Sequence, residues 1–147
     1  MEQVQADSLI SLLFHLGGEK MTRKIKQTLM CKRAYETEQK YLLACVDNVN
    51  MPDCVRERLQ YLSQRLSCVA LWIELLSDDE AFVVEQHYVN GYDIPRIVEM
   101  YRAKWGTEYG KTERTIRSYQ KRALEKIAAF EQRMDLMKIE MDKEMRA

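Results

Sequence analysis

Val55, Leu59, Leu62, Leu66, Val69, Ile73 and Leu76 recur in alternating steps of four and three. That spacing draws one apolar stripe along an α-helix and has no counterpart on a strand, where side chains alternate with a period of two. Such a stripe is the seam of a coiled-coil-like pair, so the helix that carries it needs a partner. The preceding segment offers a weaker stripe in Cys31, Tyr35, Leu42 and Cys45, interrupted by Glu38. Only five Gly and two Pro occur in 147 residues, against abundant Leu, Met, Ala, Glu, Lys and Arg. That composition favours helix nearly everywhere and leaves few turn signals for a sheet. The expected fold class is all-α.

Local signals divide the chain. Asp7 or Ser8 caps a short apolar helix, Leu9 to Leu16, which Gly17-Gly18 ends. A long helix is expected from Lys20 to Val46, then a turn through Asp47-Asn48-Val49-Asn50, with Pro52 in the first turn of the striped helix. An antiparallel hairpin about that turn would set Cys45 level with Cys54 and Cys31 level with Cys68. These cysteines read as small apolar core residues, kept as free thiols in a reducing compartment. Ser77-Asp78-Asp79-Glu80 has the form of a capping box, restarting a helix that runs to about Val89, and Asn90-Gly91 supplies a positive-φ turn. Asp93 caps a helix with Ile94, Ile97, Val98 and Tyr101 on one face and Pro95 in its first turn. Gly106 and Gly110 bracket a further loop. Thr112 caps the last helix, whose stripe Ile116, Ala123, Ile127, Phe130, Met134, Met137 and Met141 reaches nearly to the C-terminus. The Met residues of that stripe read as a packing seam.

Charge is balanced overall but unevenly placed. Lys20 to Arg33 carries six cations and no anion, Glu74 to Glu85 carries five acids, and Lys111 to Lys126 carries six cations against Glu113 and Glu125. With a net charge of zero, attraction to nucleic acid rests on local placement. The run from Lys20 to Arg33 reads first as a solvated helix face and second as an additional DNA contact. No apolar run approaches the roughly 20 residues of a membrane span, and no secretory leader is evident, so no membrane partner and a cytoplasmic location are expected. His15 and His87 lack partners at metal-ligand spacing. Neither a phosphate loop, a nucleophile elbow nor a paired-carboxylate pattern occurs, so no catalysis, cofactor or metal is expected.

Two short helices joined by a glycine turn, followed by a helix rich in Arg, Lys, Ser and Thr, match what duplex recognition requires. If Ile116, Ala123 and Ile127 face the core, then Arg114, Arg117, Ser118 and Lys121 lie on the opposite side. Arg bonds guanine bidentately, Ser meets a base edge or a phosphate, and Lys neutralises phosphate. Thr112 and the free amides at that helix start favour a phosphate. Lys111, Glu113 and Arg122 complete the candidate DNA-binding set, and double-stranded DNA is the expected partner.

Leu76-Ser77-Asp78-Asp79-Glu80, Val83-Val84, Tyr88, Gly91 and Ile97, then Thr112, Ile116-Arg117 and Ala123-Leu124 to Ile127, resemble region four of bacterial sigma factors. By that resemblance the groove-contacting positions fall on Glu113, Arg114, Arg117 and Ser118. The Arg-Glu order is reversed relative to the family and Ser118 stands in place of Gln, which points to a private operator rather than a general promoter element. The segment from Lys104 to Lys111, with Trp105 and Tyr109, is longer than in sigma factors. It reads as a wing or as a longer helix with a looser turn. In overall plan the chain also resembles phage and prophage regulators of the ArpU/RinA kind. That resemblance implies a transcriptional regulator of late phage genes, located with the nucleoid when bound, with host RNA polymerase as a further partner.

The expected architecture is therefore an N-terminal long helical hairpin, coiled-coil-like, over residues 1–76, serving oligomerisation. A sigma region-four-like helix-turn-helix follows over 77–130, and its long last helix continues as an extension over 131–147. A homodimer is expected, because two-fold symmetry lets such proteins read paired half-sites. The competing readings are a phage small terminase subunit, acting as a packaging adaptor, and a helical protein-interaction module.

Overall fold

The computed structural model describes residues 19–46 and 50–146, and among these the regular elements are all helical, with no strand. Residues 19–30 form α1, followed by α2 (Lys32–Cys45), α3 (Asp53–Glu74) and α4 (Asp78–Val84). A π turn (Glu85–Val89) extends α4, then come α5 (Ile94–Trp105), a 3-10 turn (Thr107–Tyr109) and α6 (Glu113–Arg146). The expected helix Leu9 to Leu16, His15, and most of the turn after Val46 lie outside the described residues.

The single helix expected from Lys20 to Val46 is interrupted at Cys31, where φ is −87° and ψ is −4°. The Thr28 hydroxyl donates back to the Lys24 carbonyl at 2.9 Å, a side-chain bond of the kind that bends helices. The ladder resumes at once, since the Tyr35 amide donates to the Cys31 carbonyl at 2.9 Å. Beyond the break, α2 lies against α3. The Tyr35 and Tyr61 rings meet edge to face at 6.4 Å, and Arg58 donates from Nε and Nη2 to Glu38 at 2.7 and 2.9 Å. Those two pairs run in opposite chain directions, so the helices are antiparallel. Glu38 interrupts the α2 stripe because it serves this ion pair, and Arg58 holds its carboxyl below the ordinary value. The register does not set Cys45 level with Cys54. Both are exposed, while Cys31 and Cys68 are half-buried; all four thiols are free.

The α3 stripe is buried or half-buried at all seven positions. Its second half, however, is covered by more than α2. Val69 and Trp72 join Ile25 and Leu29 of α1, Val84 and Tyr88, and Ala123, Leu124 and Ile127 of α6 in one cluster. Residues on both sides of position 76 therefore share a core. A second cluster joins α4, α5 and α6 through Phe82, Val83, Ile94, Ile97, Tyr101 and Ile116.

The helix starts follow the side chains that satisfy free amides. Ser77 Oγ accepts from the Glu80 amide at 3.3 Å while Glu80 Oε1 accepts from the Ser77 amide at 3.0 Å. Asp93 Oδ1 accepts from the Arg96 amide at 3.1 Å. Between α4 and α5 the chain reverses at Gly91, with φ at +77° and open space where a Cβ would stand. Backbone strain is thus the whole effect of a side chain there, and Gly91→Ala is expected to lower stability by about 1–2 kcal/mol, read as a shift in urea midpoint. An unshifted midpoint would mean that the turn relaxes.

In α6 the stripe is buried at Ile116, Ala123 and Ile127, but residues 133–146 are all exposed. The expected Met seam is left uncovered among the described residues: Met134, Met137 and Met141 are 38%, 53% and 59% exposed. No helix among the described residues is long and apolar enough to cross a membrane.

Candidate nucleic-acid interface

The start of α6 is seated by aromatic packing on one side and by polar contacts on the other. Phe82 and Tyr101 meet Trp105 at centroid distances of 5.0 and 4.2 Å, and Tyr101 stacks on Tyr119 at 6.4 Å. Tyr101 Oη donates to Asp79 Oδ1 at 2.5 Å, tying α5 to the first turn of α4. Burial, reinforced by that carboxylate, raises the Tyr101 phenol well above its ordinary value, so it stays a protonated donor. On the other side Gln120 Nε2 donates to the Tyr88 hydroxyl. Thr112 Oγ1 accepts from the Thr115 amide at 3.3 Å, capping the helix where expected.

This seating determines which side chains of α6 meet solvent. Ile116 and Ala123 are fully enclosed. Thr112, Glu113, Arg114, Arg117, Ser118, Lys121 and Arg122 are exposed and Lys111 is half-buried. At about 100° per residue, Arg114, Arg117, Ser118 and Lys121 share the outward side, with Glu113 and Arg122 along its two edges. Arg122 lies over the Tyr119 ring at 5.5 Å. Among the described residues, Lys111, Arg114, Arg117 and Lys121 have no carboxylate partner. Some cations elsewhere are paired, Lys32 with Glu36, Arg58 with Glu38, Arg96 with Glu99 and Lys126 with Glu80, so what sets this row apart is its shared outward side rather than the lack of partners alone.

In the segment from Lys104 to Lys111, Lys104 and Trp105 end α5 and a 3-10 turn (Thr107–Tyr109) follows, with no strand of a wing among the described residues. Trp105 points inward to Phe82, and Lys104 covers the Phe82 and Trp105 rings at 4.9 and 4.7 Å. Tyr109 is 62% exposed. A cation that sequence reasoning missed stands here. A Cβ at Gly110 would come within 3.3 Å of Arg102 Nε, so Arg102 lies against the loop that leads into Thr112. Its spacing from Gly110 is the only signal in the sequence, and it acquires meaning only once α5 is known to continue to Trp105.

The basic run from Lys20 to Arg33 does not join this surface as a block. Ile25, Thr28 and Leu29 turn into the core, Lys32 pairs with Glu36 at 3.5 Å, and Arg33 donates to Asn90 at 2.5 Å. His87 Nδ1 lies 2.9 Å from the Tyr92 carbonyl oxygen. No group of three or more His, Cys, Asp or Glu side chains suited to a metal occurs among the described residues. Compared with known proteins, the chain matches no family model, no curated protein and no solved structure.

Proposed function

We propose that this chain is a sequence-specific DNA-binding regulator of phage or prophage late genes. Its helix-turn-helix is built from α4, α5 and α6 on a sigma region-four-like plan, and the first turns of α6 enter the major groove. One observation carries the reading: Arg114, Arg117, Ser118 and Lys121 form an outward row on a capped, well-seated helix, and its three cations have no carboxylate partner among the described residues. Residues 112–122 span about 15 Å of helix, enough to cross a major groove roughly 12 Å wide. In this assignment Arg117 and Arg114 read guanine edges, Ser118 meets a base or phosphate, and Lys111, Lys121, Arg122 and Arg102 hold the backbone. Glu113 suits an exposed cytosine amino group. The α2–α3 hairpin, with Tyr41, Leu43 and Tyr61 exposed, supports a homodimer that reads paired half-sites, and host RNA polymerase is the partner through which activation would proceed.

The test is binding to DNA upstream of its own gene. Four phosphate-directed cations per protomer give an expected slope of log K on log salt of roughly −3 to −4 for a single half-site and about twice that for a dimer on paired half-sites. Arg117→Ala is expected to weaken specific binding by about 1–3 kcal/mol and to relax one base preference, while Lys121→Ala weakens all sequences alike and reduces the salt slope by about 1. Unchanged affinity and preference in Arg117→Ala would place the groove contact elsewhere, and salt-independent binding would remove DNA from the reading. A ring-sized particle in solution would count for a packaging adaptor and against a regulator.

A further inference from the structure

The stripe of α6 continues in steps of three and four from Ile127 through Phe130, Met134, Met137 and Met141, yet its burial stops. Ile127 is fully enclosed and Phe130 still packs on the core, whereas Met141 is 59% exposed and Met145 85%. The helix thus carries an apolar face for about three turns past the body.

The position of α1 indicates what lies beside that face. Met21 and Lys24 line the same groove as Glu131 and Asp135, a space of about 210 Å³ shared with Arg65 and Trp72 of α3. Farther along α1, Ile25 and Leu29 join the cluster of Ala123, Leu124 and Ile127, and past the break Arg33 of α2 reaches Asn90. Hence α1 runs antiparallel along α6, and the chain that enters α1 at residue 19 arrives from the side of the α6 extension. Just upstream stand Leu9-Ile10-Ser11-Leu12-Leu13-Phe14-His15-Leu16 and then Gly17-Gly18, a stretch with six large apolar residues and no acid, lysine or arginine. Two glycines impose little on the direction of the chain. Eight residues span about 12 Å if helical, and Met134 to Met145 rises about 16 Å, so the run and the face agree in length as well as in polarity.

We propose that the Leu9–Leu16 run docks on the Met134, Met137 and Met141 face of α6, so that the extension serves as a platform for the chain's own N-terminal segment. A parallel second copy of α6 fits this face less well. Laid parallel in heptad register, it would set Arg133 beside Lys138 of the partner subunit, a like-charge pair.

Methionine oxidation by dilute peroxide, mapped by mass spectrometry on the full chain, tests the assignment. Met30, 64% exposed, is the internal reference. Met137 and Met141 are expected to oxidise several-fold more slowly than Met30, equally at high and low protein concentration. In Leu12→Asp/Leu16→Asp their rates should rise about tenfold, as for a face that changes from mostly covered to mostly open, while helical circular dichroism from the rest of the chain persists. Rates equal to that of Met30 in the unmodified chain would overturn the proposal. So would protection that survives the double substitution, or protection lost on dilution, which would assign the face to a second copy. None of these outcomes depends on DNA binding.

Discussion

Truncating Ile127 to alanine is expected to lower the free energy of unfolding by about 2–5 kcal/mol. Ile127 has no exposed surface and lies in the cluster where Ile25 and Leu29 of α1, Val69 and Trp72 of α3, and Val84 and Tyr88 all meet α6. The loss has two parts, the transfer free energy of the deleted carbons and the cavity that remains. Three helices besides α6 border the space, each held by its own contacts, so collapse is restricted and the upper half of the range is expected. Urea unfolding followed by circular dichroism measures the total, and tryptophan fluorescence localises it, since Trp72 belongs to this cluster and Trp105 to the other. Both signals should shift together if the clusters unfold as one unit. A loss below about 1 kcal/mol would mean that the site closes over the deletion. If the proposed DNA-binding role holds, affinity for DNA in the fraction that remains folded should be unchanged, because Ile127 faces away from Arg114, Arg117 and Lys121.

The boundaries legible in the sequence are those where a side chain satisfies a nearby backbone group. Ser77 with Glu80, Asp93, the Asn90-Gly91 reversal and Thr112 each act within a few residues, so spacing alone locates them. The rotation of α6 was legible for a similar reason, since a helical period with Ile116, Ala123 and Ile127 inward leaves Arg114, Arg117, Ser118 and Lys121 outward. What stayed hidden depends on residues distant in the chain. Periodicity identified the α3 stripe but not that α1 and α6 cover its second half. It identified the Met face but not whether anything lies on it. The break at Cys31 has no mark in a pattern that otherwise reads as unbroken helix; Thr28 bonds back to Lys24 just before it, but Thr37 makes the same bond to Arg33 inside α2 without a break. The π turn at Glu85–Val89 has no compositional mark. Arg102 joins the candidate interface only through its packing on Gly110, and Glu80, identified as half of a capping box, has a second partner in Lys126 that no local rule indicates.

That second partner leads to the other large expected effect: Lys126→Met should lower stability at neutral pH by about 2–3 kcal/mol and flatten the acid limb of the stability profile. The Glu80 side chain is 1% exposed, and Oε1 accepts from Lys126 Nζ at 2.6 Å and from the Ser77 amide at 3.0 Å. Oε2 has no partner among the described residues. Burial pushes the carboxyl up, but hydrogen bonds from Lys126 and from the Ser77 amide and hydroxyl outweigh it and hold the group below its ordinary value. A carboxyl depressed in the folded state stabilises the fold above its unfolded pKa, near 4.5, and loses that contribution as pH falls through the lower, folded value. Without Lys126, only the Ser77 contacts oppose the burial, so the folded pKa rises from its value in the unmodified chain and the group contributes less to the acid limb. The unmodified chain should therefore weaken on acidification below about pH 4.5 more steeply than Lys126→Met. Lys126 is about half exposed, which keeps the neutral-pH effect below that of a fully buried pair. Adding Glu80→Gln to Lys126→Met removes the stranded charge while retaining an acceptor for the Ser77 amide, so the double variant should recover part of the loss and show a flat profile for this group. Parallel acid limbs in the unmodified chain and Lys126→Met would show that Lys126 does not govern the carboxyl, and would assign the depression to the Ser77 cap alone.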